Sequence, residues 1–237
     1  MSLGEKIREM TPKNRQYVVA VVIVFFWIRA FYLNTFLQSE TADLAGSASS
    51  LFRSATFYGA INLAILFGLW YWSGGTLKGL GWQKKGFGKH LGIGCLFGLA
   101  MVLQHYLLTG PLISRWVPTT TNPGVDMANL FSDISDLPLW ILLALFKGGF
   151  EEELWRSFEI NAFQRIGGKT GLILALILGS VFFGLQHSYQ GWDTVVSTGF
   201  DGLLYGLIYL RRRSVIEAMS AHALFDIISI SAGYLLM

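Results

Sequence analysis

Apolar residues run along this chain in blocks too long for the one-sided stripe of a soluble helix. Seven stretches, about 17–37, 55–73, 91–110, 137–156, 170–187, 192–210 and 214–236, are dominated by aliphatic, aromatic and small residues, with polar connections between them. Roughly 20 mostly apolar residues cross a bilayer as a helix, and a helix satisfies its own backbone hydrogen bonds, as lipid-exposed backbone must. The pattern predicts an all-α, polytopic transmembrane bundle of about seven spans, with an eighth or re-entrant segment as the variant. It reads as a single integral membrane domain over 1–237, without room for a separate soluble domain.

Composition supports that class, since 53% of residues are apolar and 14% charged, a balance that excludes an ordinary soluble domain. Charge then orients the spans. Lys6, Arg8, Lys13 and Arg15 precede the first, and Lys78, Lys84, Lys85 and Lys89 lie between the second and third. Arg165 with Lys169 and the run Arg211, Arg212, Arg213 mark later connections, whereas the alternate connections are poor in Lys and Arg. The positive-inside rule places the amino terminus in the cytoplasm and, with seven spans, the carboxyl terminus outside. An eighth or re-entrant segment would reverse the latter. The expected location is a membrane, crossed many times, and the cell membrane in a prokaryote.

The first span follows a polar stretch, contains Arg29 and has no small-residue cleavage pattern behind it, so it is expected to be retained. Cys95, the lone cysteine, allows no intrachain disulfide. Gly202 and Gly206 form a small-xxx-small packing face on the sixth span. The connection from Pro111 to Pro138 is the longest, and its length makes it a candidate cover, although a plain solvated loop is the simpler reading.

Polar residues interrupt three of the later spans. Glu151, Glu152 and Glu153 are followed at once by Leu154, Trp155 and Arg156. A charge near the bilayer centre costs about 2.5–3.5 kcal/mol on insertion scales, so such a cluster reads as a functional site. Glu152 and Arg156 are four apart with the acid first, the favourable order for a same-face ion pair. Glu151 points about 100° away and is left free for chemistry. The bland alternative is a cluster solvated at the membrane interface. On the fifth span Phe183 and His187 are four apart, and on the seventh so are His222 and Asp226, where the carboxylate can orient the imidazole.

The fourth and fifth spans turn at Gly167, Gly168 and Lys169, and positions 151 and 187 are equidistant from 169. Glu151 and His187 are therefore expected within about one turn of the same height. His222 lies roughly 14 Å into its helix, so a shared level requires the fourth and fifth helices to protrude into the cytoplasm.

A carboxylate and an imidazole holding one water can activate it for attack on an amide carbonyl and then protonate the leaving nitrogen. A second histidine with a polar partner can stabilise the oxyanion. Two histidines and a carboxylate are also a zinc set, so a metal-activated water is the rival on the same residues. His90, His105, His187 and His222 are the only histidines, and none makes H-E-x-x-H. Asp201 follows Thr198-Gly199-Phe200 rather than a G-x-G, and Ser180 lacks glycine framing. Arg29, Gln104, His105 and Asp201 read as interhelical partners.

Taken in order, Glu151-Glu152-x-x-x-Arg156, Phe183-x-x-x-His187 and His222-x-x-x-Asp226 resemble the three motifs of the CAAX-protease and bacteriocin-processing family, and are similar to those of its type II CAAX prenyl endopeptidases. The resemblance covers about 137–236, which would hold the catalytic core; the first 110 residues share only membrane helices with it. It implies a membrane-embedded endopeptidase in which Glu151 and His187 activate water, His222 with the residue at 226 stabilises the oxyanion, and Glu152 and Arg156 support the site. The prenyl-protein members carry asparagine where this chain has Asp226, which would have to be protonated or else orient His222.

The implied partners are a peptide or protein substrate, lipid-modified in part of the family, and membrane lipid, with no nucleic acid. No cofactor is expected, zinc being the alternative. A non-proteolytic immunity or regulatory scaffold binding a partner peptide is the competing function. A small transporter comes third and would show internal repeats and broken helices. Substrate identity and oligomeric state are not legible.

Overall fold

The computed structural model describes residues 10–37, 47–117 and 133–236, and every regular element in them is helical. Helix α1 spans Pro12–Tyr32, with Pro12 in its first turn and the Thr11 hydroxyl accepting from the Asn14 N–H, a start that suits both residues. Helix α2 spans Ala48–Trp72, capped in the same way by Ser47. Helix α3 runs over Phe87–Trp116 and loosens into a π-helical turn at His105–Thr109. The short helix α4, Leu137–Leu143, continues as a nine-residue π-helix, Ala144–Glu152, and then as α5, Glu153–Leu185. Helices α6, Trp192–Arg212, and α7, Val215–Leu236, complete the bundle.

Among the described residues five helical stretches are long and apolar enough to cross a membrane, one of them the 57-residue run Ile134–Gln190. That run is not one rod. Gly168 has φ 58° and ψ −133°, a conformation open to glycine, and there α5 doubles back. Arg156 stacks on Phe183 at 4.4 Å, and Glu159 faces Gly179; the midpoints of both pairs fall within a residue of 169, as the symmetry about the Gly-Gly-Lys turn predicts. Trp27 of α1 closes the hairpin, stacked against Phe163 of the first arm and Phe182 of the second, while its indole N–H donates to Glu159 at 2.7 Å. The two arms account for the expected fourth and fifth spans. Helix α6, the expected sixth, carries Asp193, Thr194, Ser197, Thr198 and Asp201 and is not among the five, so the count of about seven is approximate.

Helix α7 forms the spine of the site, packed against α3 on one side and the π-helix on the other. Gly148 and Gly149 permit that approach: a Cβ on Gly149 would lie 2.8 Å from the Ala223 methyl, and one on Gly148 would collide with the Asp226 carboxylate. The glycine face of α6 acts the same way toward α5, since a Cβ on Gly202 would stand 2.8 Å from the Phe183 ring and 3.2 Å from Arg156. Most of the Pro111 to Pro138 connection, 118–132, lies outside the described residues; its first part continues helix α3 as far as Trp116.

Candidate active site

The acidic triplet sits where the π-helix passes into α5. π-Helical turns are rare and concentrate at functional sites. The transition aims the three carboxylates in three directions. Glu151 turns to α2, where its Oε1 accepts from the Asn62 amide at 2.9 Å and from Lys147 at 2.8 Å. Its Oε2 is buried beside Gly59 and has no hydrogen-bond partner among the described residues. Glu152 turns to α7, with an oxygen 3.9 Å from His222 Nε2 and the other 3.8 Å from Lys147. Glu153 is almost wholly buried and accepts from Arg156 Nε at 3.1 and 3.2 Å and from His222 Nδ1 at 2.9 Å.

The expected Glu152–Arg156 ion pair is therefore corrected: Arg156 pairs with Glu153, three residues earlier. Spacings of three and four both meet on a helix, and the surroundings decide between them. The guanidinium lies over Phe183 and 5.8 Å from the Tyr205 ring centroid, on the side where Glu153 also reaches His222. Glu151 is likewise not free, being held through one oxygen by two donors.

The two histidines are fixed through the same kind of nitrogen. His187 Nδ1 is 2.8 Å from the Phe183 carbonyl, which can only accept, so Nδ1 carries the proton and Nε2 presents a lone pair. Its ring meets Phe183 edge to face at 5.0 Å, the shared face that the spacing predicts. His222 Nδ1 donates to Glu153, which turns Nε2 toward Asp226, 3.5 Å away, and Glu152. Tyr205 of α6 stacks on the His222 ring with centroids 4.2 Å apart and planes 17° apart. Phe183 touches both imidazoles, lying 5.9 Å from His222. Glu151 and His187 share no hydrogen bond.

A cavity of about 120 Å³ opens beside the acidic triplet, lined by Lys147, Glu151, Glu152 and Arg156 and by the aromatic rings of Phe26, Trp155 and Phe183, whereas His187, His222 and Asp226 lie outside its lining. Arg29, Asn62 and Glu159 also line it, so Arg29 is placed at the cavity rather than in an interhelical pair. Among the described residues no three His, Cys, Asp or Glu side chains are grouped as a metal ion would require.

Four contributors escape the motif reading. Lys147 stands four residues before Glu151, a spacing that was readable. Glu153 lay in the triplet, its role hidden by the choice between two spacings. Asn62 and Tyr205 reach the site only through packing of α2 and α6, for which the sequence carries no local signal.

Residues 133–228 match the family model described as Type II CAAX prenyl endopeptidase Rce1-like. No curated protein matches the chain, and no solved structure does. The matched segment contains Glu151, Glu152, Arg156, Phe183, His187, His222 and Asp226, and the match supports the CAAX-protease and bacteriocin-processing family of membrane proteases for that part of the chain.

Proposed function

We propose that the protein is a membrane-embedded endopeptidase that hydrolyses a peptide bond in a hydrophobic or membrane-associated peptide by water activated between Glu151 and His187. The observation that carries this reading is the approach of the three motifs from separate helical segments: Glu152 and Asp226 stand 3.9 and 3.5 Å from His222 Nε2 and the Phe183 ring meets both imidazoles, beside the cavity that Glu151 and Glu152 line. Buried polar groups in a purely structural cluster are normally satisfied; here Glu151 Oε2 is buried without a hydrogen bond among the described residues.

Each side chain then has a role that follows from its tether. Glu151, oriented through Oε1 by Asn62 and Lys147, takes a proton from water at its other oxygen, while His187 Nε2 accepts the second hydrogen and aims the oxygen. The water oxygen bonds to the scissile carbonyl carbon, and the electron pair of the C=O bond moves to oxygen. His222, held through Nδ1 by Glu153, presents Nε2 to that oxyanion; it donates in its imidazolium form, with Asp226 beside it. The proton from Glu151 passes to the amide nitrogen, the oxyanion's electron pair re-forms the C=O bond as the C–N bond breaks, and the products leave as an amine and a carboxylic acid that keeps the second water hydrogen until it ionises. Glu152 holds Lys147 and His222 between Glu151 and Asp226. Phe26, Trp155 and Phe183 give the cavity an apolar wall suited to a hydrophobic peptide.

The test is cleavage of hydrophobic peptides, prenylated and unmodified, by purified protein in lipid nanodiscs. Glu151→Gln is expected to lower kcat about 10²–10⁴-fold, the usual range for general acid–base groups, with an unchanged unfolding temperature. Glu152→Gln should lose less; the reverse order would exchange their roles. Peptide that binds the parent and is never cut would favour the scaffold reading. Prolonged chelation is expected to leave activity intact, because among the described residues no ligand trio is assembled. Stoichiometric zinc whose removal abolishes activity and whose return restores it would replace this mechanism with a metal-activated water.

A further inference from the structure

Helix α6 carries a line of polar groups that the catalytic proposal does not use. Asp193, Ser197, Asp201 and Tyr205 follow at intervals of four, so they share one face of the helix. At the Trp192 end this stripe meets a second cavity, of about 170 Å³, between α6 and the end of α3, where Asp193, Thr194 and Ser197 face His105 and Ser114. At the other end is Tyr205, stacked on the ring of His222.

Ser197 donates to the Thr194 carbonyl at 3.1 Å, but four other atoms along this line lack hydrogen-bond partners among the described residues. Asp193 Oδ1, His105 Nδ1, Asp201 Oδ1 and the Tyr205 hydroxyl are buried without a hydrogen bond among the described residues. Asp201 is 5% exposed and Tyr205 1%, so lipid or bulk solvent cannot serve them. His105 Nδ1 stands 3.7 Å from Asp201 Oδ2, too far for a direct hydrogen bond and within the span that one water bridges. Buried polar atoms are satisfied by protein or by ordered water, and a buried water needs space and two to four polar partners. The second cavity and the stripe supply both. In a membrane chain, polar residues on an inward face mark a path for water, protons or ions.

We propose that the Asp193, Ser197, Asp201, Tyr205 stripe, with His105, binds a file of water molecules that supplies the hydrolytic water to the His222 side of the site. The inference rests on the hydrolase reading. Each turnover consumes one water, and a hydrophobic peptide lying in the cavity beside Glu151 would displace bulk water from that side. A second approach behind His222 keeps the site supplied while the first is filled.

The experiment has two arms, both in nanodiscs. In a Cys95→Ser background, Ser197→Cys and the outward-facing Val196→Cys are reacted with a small, charged, water-soluble methanethiosulfonate. Cysteine at 197 is expected to react at least tenfold faster than at 196, and this arm reads hydration whether or not the protein cleaves anything. In the kinetic arm Tyr205→Phe removes the hydroxyl and keeps the ring on His222, and Ser197→Leu plugs the stripe. Each is expected to lower kcat about tenfold at constant KM and unfolding temperature, while Val196→Leu behaves as the parent. Equal labelling at 196 and 197, or parental kcat in both Tyr205→Phe and Ser197→Leu, overturns the proposal. Fast labelling at 197 in a parent that cuts no peptide keeps the water site and places the failure in the catalytic reading.

Discussion

Two acidic clusters holding a histidine lie along α7 about one and a half turns apart, and they are built to opposite specifications. In the first turn Glu217, fully buried, is met at 2.7 Å by His90 Nδ1 from α3 and at 2.6 Å by Arg211 from the end of α6, with Arg212 at 3.8 Å. Both of its oxygens are taken, and Arg211 in turn lies over the Phe97 ring. Five residues on, His222 is held just as firmly by Glu153 at Nδ1, yet among the described residues its Nε2 has carboxylate neighbours at 3.5 and 3.9 Å only, and Glu151 keeps an oxygen unbonded. The first cluster ties α3, α6 and α7 together. The second combines a closed inner half, Arg156–Glu153–His222, with an open outer half of Glu151, Glu152, Asp226 and His187, and Glu151 and Glu152 of the open half line the cavity together with Arg156. Polar residues at depth do not by themselves mark chemistry; residual valence beside a cavity does.

Removing the central carboxylate of each cluster gives the largest effect and the sharpest contrast. Glu153→Ala leaves Arg156 buried and frees His222 to turn, and Glu217→Ala strands Arg211 and His90. Breaking a buried ion pair from one side costs about 3–5 kcal/mol, so both variants should lose stability on that scale in reversible unfolding. They should part in activity. Folded Glu217→Ala at low temperature is expected to retain the parental kcat, and Glu153→Ala to lose nearly all of it, because His222 no longer has a fixed Nε2. Equal activity losses would erase the distinction between the clusters.

How far the sequence reached follows the same boundary. The hairpin was legible because two apolar arms of matched length flank Gly167 and Gly168, and the shared face of Phe183 and His187 follows from helical spacing alone. Local spacing failed where two answers were equally near: Arg156 can reach back three residues or four, and the choice was made by Phe183, Tyr205 and His222, all brought from elsewhere in the chain. Asn62 and His90 are partnered across 89 and 127 residues, and no periodicity announces such contacts. The polar stripe of α6 was visible as residues but not as a feature, because its meaning depends on the cavity that α3 forms beside it.

Within the open half, Gly148 tests whether the distance between the π-helix and α7 matters. A methyl at Gly148 would collide with Asp226 and come within 3.3 Å of His222 Nε2. Gly148→Ala should therefore push Asp226 aside and lower kcat about 10–100-fold, the scale on which a displacement of about 1 Å in an active site is felt. Gly88→Ala on α3, where an added Cβ meets nothing within 4 Å, is the matched control and should behave as the parent in the peptide assay. A fully active Gly148→Ala would mean that Asp226 has no positional role.

The smallest effect is expected at the turn that brings Arg156 to Phe183, and it separates the scaffold from the chemistry. Gly168 has open space around its missing Cβ, as does Gly167, but Gly168 alone has a positive φ of 58°. An alanine at 168 meets no neighbour and suffers only the backbone penalty of that conformation, about 1–3 kcal/mol. At 167 the same change should be close to neutral or slightly stabilising, because glycine has more unfolded-state freedom to lose. The hairpin has other ties, Trp27 between Phe163 and Phe182 and Arg156 over Phe183, so Gly168→Ala should still close it and retain parental kcat once folded. Reversible unfolding of the pair, with kinetics measured below the transition, checks both halves of this expectation. A large kcat loss in Gly168→Ala at full folding would show that the turn sets the height of His187 against Glu151, and that the hairpin is part of the catalytic geometry rather than its support.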